Sequence, residues 1–360
     1  MCSKHLDNKT RVIYGEMTED SSPASHLSVS MTTNVAETTG GNTMTSSSQR
    51  GIEFYFRCAV TVMALVGTIA SGLVLYALFV SKQHKKLILI VHQNIIELFA
   101  SSATLLIYLL MFFNFHLTGS FGYWVCAVLF SEGLSWWGTY TSRVHLVIIT
   151  IERYLKVVYP VWSKNKLKNW MIYSAMAAAW ILTFISFVAE RFTTSQVIDG
   201  VCYSMESYGS YAATIIYIFW QLFSFYGLML FIFVFCYWRI LIVVRRQARV
   251  MASRSAAGSS AAQAQSNQIQ TNVIRTMILV SALYTISWTP LYICSLIRYL
   301  YPYPLEWQGM YYSSTTIVFS YMCTNPFVYA TKFDPVKQVL LRMIPCKKNN
   351  QGNAGGARRG

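Results

Sequence analysis

Residues Ser142 to Tyr159 read SRVHLVIITIERYLKVVY. Apart from His145 and Thr150 the run from Val144 to Ile151 is aliphatic, and it stops at Glu152-Arg153-Tyr154. An arginine placed where a membrane helix leaves the lipid can snorkel to the headgroups or turn inward as a polar switch. The stretch alone leaves both roles open.

The surrounding chain settles the solvent. Of its 360 residues 54% are hydrophobic and 12% are charged, about half the charge of an ordinary soluble domain. Several apolar runs exceed the ~18 residues that cross a bilayer as a helix. None shows the ~10-residue alternation of a membrane β-barrel. The runs fall at 54–80, 87–113, 122–158, 170–189, 210–244, 272–300 and 309–330, which makes seven. The reading is an all-α membrane protein, a seven-transmembrane helix bundle.

The net charge of +15 does not point to nucleic acid, because Lys and Arg lie in short blocks between the runs. Lys82, Lys85 and Lys86 follow the first span. Lys156, Lys164, Lys166 and Lys168 follow the third, and Arg245, Arg246, Arg249, Arg254 and Arg275 flank the loop after the fifth. The opposite loops hold little beyond Arg191. The positive-inside rule then places the N-terminus outside. Eight cysteines at scattered spacing, with no CxxC pair, argue against a zinc site or a disulfide-dense scaffold.

Residues 1–53 are Ser- and Thr-rich and read as a disordered extracellular tail. No apolar h-region follows Met1, so no cleavable signal peptide is expected. Asn8-Lys9-Thr10 is a glycosylation sequon if the tail is outside. The bundle is assigned to 54–330. Met251 to Asn267, rich in Ala, Ser and Gln, reads as a flexible linker. Residues 331–346 read as an amphipathic helix on the inner leaflet, with Pro335 in its first turn and Phe333, Val336, Val339, Leu340 and Met343 on one face. Cys346, beside Lys347 and Lys348, is either a palmitoylation site or a free thiol. Residues 347–360 form a cytoplasmic tail.

Seven spans carrying Glu152-Arg153-Tyr154 in the third, Trp180 in the fourth, Tyr237 in the fifth, Ser287-Trp288-Thr289-Pro290 in the sixth and Asn325-Pro326-Phe327-Val328-Tyr329 in the seventh resemble the rhodopsin-like family of G-protein-coupled receptors. The resemblance covers about residues 54 to 346. It implies a receptor, not an enzyme, that binds an extracellular ligand, peptide or small molecule, and catalyses guanine-nucleotide exchange on a heterotrimeric G protein. It assigns coupling and activation to Glu152, Arg153, Tyr154, Tyr237, Trp288, Pro290, Asn325, Pro326 and Tyr329. Pro290 removes a helix hydrogen bond and leaves a hinge. Asn325 can satisfy backbone groups freed by Pro326. The resemblance also implies a disulfide between Cys126 and Cys202.

The chain departs from the family pattern in several places. Glu97 stands where the family has an Asp that helps hold a sodium ion; Ser142 and Asn325 match that set, while Tyr321 and Met322 do not. Arg143 lies ten residues before Arg153, about 15 Å deeper along the helix, and is expected to pair with Glu97 or bond Tyr284, the alternative being a water-filled cavity. Its replacement by Leu should disturb folding or signalling. No Asp or Glu occurs between Glu206 and Glu306. Gln270, near the foot of span six, can therefore offer Arg153 only a neutral partner, which points to a weakly held resting state. After Thr331 there is no Ser, Thr or Tyr. Arrestin binding through phosphate would then need Ser253, Ser255, Ser259 or Ser260.

For the ligand, Phe319 stands where opsins carry their lysine, so retinal is not expected. Glu132 either holds a cationic group or contacts Arg191, Arg298 or headgroups. Trp136, Trp288, Tyr292 and Thr315 are the candidate cavity lining. Tyr208, Tyr211, Tyr301, Tyr303, Tyr311 and Tyr312 are assigned to the outer aromatic belt. The remaining alternative is a seven-span transporter or channel using Glu97, Arg143 and Asn325 as a polar pathway.

Overall fold

In the computed structural model of the protein, the residues described are 42–82, 84, 87–113, 115–204, 211–254, 261–300 and 307–343. A first unit, Met1–Ser47, is described only from Asn42; all that follows concerns the second, Ser48–Gly360. Asn8, Cys346, the tail 347–360 and Ser255, Ser259 and Ser260 lie outside the described residues, as do the side chains of Ser253, Gln270 and Arg298.

The elements follow in the order α1 (Asn42–Val80), α2 (Ile88–Met111), α3 (Gly119–Val125), a π-helical turn (Cys126–Phe130), α4 (Gly133–Val158), α5 (Pro160–Lys166) and α6 (Asn169–Thr194). Next come strands β1 (Ser195–Ile198) and β2 (Val201–Ser204), then α7 (Tyr211–Leu222), a second π-helical turn (Phe223–Gly227), α8 (Leu228–Arg254), α9 (Ala261–Leu300), α10 (Trp307–Lys332) and α11 (Asp334–Met343). Span three is α3, the π turn and α4. Span five is α7, the π turn and α8.

Five of the described helical segments are long and apolar enough to cross a membrane on composition alone: Gly51–Val80, Ile88–Met111, Asn169–Thr194, Ile215–Gln247 and Ile274–Ile297. The other two spans, α4 and α10, fall short because they carry the polar residues of the bundle interior. Ser135, Thr139, Thr141, Ser142, Arg143, His145 and Thr150 of α4 are buried, as are Ser314, Thr315 and Asn325 of α10. Lipid-facing helices show the opposite pattern: Phe219, Trp220, Phe231 and Trp238 of span five are largely exposed. Helix α4 is the axis of the bundle, packing against α2, α6 and α8, while α9 packs along α10. Small residues set the closest approach. A Cβ at Gly138 would lie 2.8 Å from the Ala100 Cβ and 3.0 Å from its Cα, so α2 and α4 touch there backbone to backbone.

The helical bundle is as expected, and the structure refines three details. First, β1 and β2 form a short antiparallel hairpin in the register Val197↔Cys202. Its turn, Asp199-Gly200, has positive φ at both residues, the backbone of a tight hairpin turn. Second, Met251–Asn267 is not one long loop. Helix α8 runs on to Arg254 and α9 already begins at Ala261. Ala and Gln are strong helix formers, so the flanking spans extend into this segment. Third, Asn325 does not serve the backbone freed by Pro326; its amide nitrogen donates to Glu97 at 2.7 Å. The apolar face expected for 331–346 is divided: Phe333, just before α11, and Val336 are buried, Val339 and Leu340 are half-buried, and Met343 is exposed.

Candidate functional site

Helix α4 carries three sites in succession. The first is a cavity of about 330 Å3 at the end of the bundle that holds the hairpin. Its lining includes Glu132, Trp136, Tyr140 and Arg143 of α4 and its start, Glu190 and Arg191 of α6, Trp288, Leu291 and Tyr292 of α9, and Tyr311 of α10. The Cys126–Cys202 disulfide, with a Cα–Cα distance of 5.3 Å, fastens the hairpin to the start of span three. Ser204, at the end of that hairpin, lines the cavity. Its hydroxyl accepts from Arg191 at 3.3 Å.

Trp136, Trp288, Tyr292 and Glu132 therefore stand where the sequence placed them. Thr315 does not line the cavity; it is buried within the bundle, and α10 reaches the cavity with Tyr311, one turn earlier. Tyr311 accordingly leaves the aromatic belt to which it was assigned. Glu132 makes no ion pair among the described residues. It has left-handed φ ahead of α4. It accepts from the Tyr108 hydroxyl at 2.5 Å and the Trp136 indole N–H at 3.2 Å. Arg191 pairs instead with Glu190, at 3.1 Å.

Arg143 does not pair with Glu97. Successive helical residues are about 100° apart, so if Ser142 faces α2, its neighbour has to face elsewhere. Arg143 turns towards α7–α9, where its Nη1 donates to the Tyr292 hydroxyl at 2.8 Å. Its guanidinium lies 4.0 Å from the Trp288 ring centroid and 4.2 Å from that of Tyr140. Aromatic faces thus take the place of a carboxylate as its surroundings. The Tyr284 hydroxyl, the other partner expected for Arg143, is within hydrogen-bonding reach of the guanidinium and donates to the Phe225 carbonyl at 3.0 Å.

The second site is a polar cluster around Glu97, which is 1% exposed. Its Oε1 accepts from Gln93 at 2.9 Å, Ser142 at 2.6 Å and Asn325 at 2.7 Å, joining spans two, three and seven. Gln93 Oε1 in turn meets His145 Nδ1 at 2.8 Å. The rings of His145 and His92 lie 4.5 Å apart. His92 accepts from the Trp180 indole at 3.1 Å. A sodium ion needs oxygen acceptors, but this cluster directs three donors at the carboxylate. Tyr321 and Met322 make no bond to Glu97, so the arrangement fits a hydrogen-bonded carboxylate better than a cation site.

The third site is the far end of α4. Glu152 bridges Arg153, at 3.0 Å, and Lys156. Tyr154 packs against Tyr159 and Phe235. Tyr237 links spans three, five and six through Thr150 at 2.9 Å and Ser281 at 3.1 Å. Tyr329 is fully buried against Phe333. Pro290 lies within α9, two residues after the cavity-lining Trp288, and Pro326 lies within α10 beside Asn325.

Sequence reading missed Gln93, His92, His145, Tyr140, Phe225 and Glu190. For Gln93 a signal existed: it stands four residues before Glu97, on the same helix face. Tyr140 is three residues before Arg143 on α4. Nothing in the sequence ties Phe225 to Arg143, because that contact depends on the π turn of span five.

Residues 52–329 match the family described as "7 transmembrane receptor (rhodopsin family)". The chain is also similar to somatostatin receptor type 5 of Rattus norvegicus, with 24% identity over 238 residues, 64% of this chain and 61% of the relative. It is similar to somatostatin receptor type 3 of Mus musculus, with 24% identity over 231 residues, 62% of this chain and 53% of the relative. The matched region thus spans between half and two thirds of the length of these relatives.

Proposed function

From the premise that this chain belongs to the rhodopsin family of seven-transmembrane receptors, multi-pass signalling proteins of the plasma membrane and not enzymes, we propose that it binds an extracellular ligand in the cavity bounded by Trp136, Trp288 and Tyr292 and activates a heterotrimeric G protein. The observation that carries this reading is the placement of all three sites on α4, with the cavity at one end and Glu152-Arg153-Tyr154 at the other. A disulfide persists in an oxidising compartment, which supports a cavity end that faces outside. The basic residues after spans one, three and five put the other end inside. Asn8 is then on the side where glycans are added, and Cys346 on the side where palmitoylation occurs.

A ligand that binds the active arrangement better shifts the population towards it. Trp288 and Arg143 are in contact at the cavity floor, and the hinge at Pro290 lies beside them. Movement of α9 about that hinge alters the Tyr237–Ser281 bond and opens the cleft around Arg153. The G protein engages there and exchanges GDP for GTP. Among the described residues, Glu152 is the acidic partner of Arg153, and its place on the same helix does not tie span six to span three. The resting state is therefore weakly held and basal coupling is appreciable. Phosphorylated serines of the third inner loop are the arrestin contact. The related receptors are named for somatostatin; for this chain the ligand is a peptide or small molecule. Glu97 and Arg143 lie on different sides of α4, so they do not form the polar pathway that transport would need.

The test uses purified full-length protein in lipid nanodiscs, mixed with heterotrimers of each G-protein class and apyrase to remove nucleotide. With at least one class a complex is expected on size-exclusion chromatography. GTPγS should disperse it, and Arg153→Ala should abolish it. Folded wild-type protein that forms no nucleotide-sensitive complex with any class would contradict the reading.

A further inference from the structure

We propose that the cavity selects a ligand bearing a carboxylate on an aromatic or apolar body, and that Arg143 is the residue that selects it. The inference rests on the ligand-binding reading above and adds the chemical class of the ligand.

Arg143 is 2% exposed and lines the cavity. A buried cation needs a counter-charge or a full set of acceptors, and none of the ion pairs among the described residues involves it. The two carboxylates of the cavity are already engaged. Glu190 binds Arg191 at 3.1 Å and accepts from the Tyr140 hydroxyl at 3.3 Å. Glu132 accepts from Tyr108 and Trp136.

The geometry of the guanidinium sharpens this. Its Nη1 is bonded to Tyr292 and the Tyr284 hydroxyl is within hydrogen-bonding reach of the guanidinium, while Nε and Nη2 are buried and make no well-formed hydrogen bond among the described residues. Those two nitrogens share one edge of the plane. Their parallel N–H bonds match the two oxygens of a carboxylate. Trp288 at 4.0 Å and Tyr140 at 4.2 Å lie against the group, with Phe225 at 5.4 Å. This aromatic packing holds the orientation of the plane. A neutral carbonyl can accept from these donors but brings no countercharge, and an ammonium group is repelled by the guanidinium. The remaining lining includes Leu222, Leu291 and Leu296, which suits an apolar body.

The test reads binding alone. Purified protein in nanodiscs is melted with a series of two-ring aromatic carboxylates, each paired with its primary amide, for example 2-naphthylacetate and 2-naphthylacetamide. In the wild type, acids are expected to raise Tm more than their amides, with affinities about tenfold or more apart, equivalent to ~1.4 kcal/mol. Arg143→Gln should erase the difference. Arg143→Lys keeps the charge without the fork, and should keep a reduced preference for acids. The proposal is overturned if no acid exceeds its amide, or if the preference survives intact in either variant. Because no G protein is present, failed coupling leaves this result untouched. Loss of the acid preference with coupling intact would remove the ligand class and leave the receptor.

Discussion

Glu97→Leu is expected to lower the melting temperature of the purified protein by several degrees and to reduce the amount that reaches the cell surface. Leucine fills a similar volume but offers no acceptor. Gln93, Ser142 and Asn325 would each lose the oxygen on which they converge. Interhelical hydrogen bonds in membranes average about 0.6 kcal/mol each, which gives about 1.2 kcal/mol for the two from Ser142 and Asn325, the Gln93 bond lying within α2. Leaving buried donors unsatisfied costs ~1–3 kcal/mol apiece. Gln93 can fall back on Ser142, whose hydroxyl lies 2.7 Å from its amide nitrogen, so a total of about 3 kcal/mol is expected. Glu97→Gln retains an acceptor and should recover most of the loss. A melting temperature for Glu97→Leu indistinguishable from wild type would show that the cluster does not hold spans two, three and seven together.

Cys202→Ser is expected to have a comparable or larger effect, centred on the cavity. The bridge closes a loop with a sequence separation of 76. Chain-entropy arguments give a stabilisation of about 4 kcal/mol for a loop of that size. The loss is also local, because β2 carries both Cys202 and Ser204, and Ser204 holds the Arg191 side chain. Dithiothreitol should lower the melting temperature of the wild type and leave the Cys126→Ser/Cys202→Ser protein unaffected. Equal insensitivity of both proteins would show that the bridge contributes nothing to stability.

The seven spans and the prolines inside spans six and seven were legible in the sequence because each depends on local pattern, whereas the Cys126–Cys202 pairing, 76 residues apart, was implied only by the family resemblance. The polar cluster was legible in part. Glu97, Ser142 and Asn325 are brought together as expected, because a buried carboxylate draws in whatever donors face it. Of the two partners expected for Arg143, Tyr284 is beside it but Glu97 is not; the depth of Arg143 was read and its helical angle was not. One residue beyond Ser142 is a turn of ~100°, enough to move it from Glu97 to Trp288. Thr315 was misplaced for a related reason: Tyr311 is larger and lies one turn earlier, and it reaches the cavity first. The helical extensions at Arg254 and Ala261 were lost behind the polar composition of the segment, although Ala and Gln favour helix.

The measurement that bears most directly on the receptor reading needs no ligand. Membranes of cells expressing the chain, or its Arg153→Ala variant at matched surface level, are assayed for guanine-nucleotide exchange on a panel of purified G proteins. Exchange above empty membranes on at least one class, lost in Arg153→Ala, is the expected result, and it would name that class. Background exchange for both proteins on every class would contradict a weakly held resting state. If the nanodisc complex were also absent, the proposal that α4 carries a signal from cavity to G protein would fall with it.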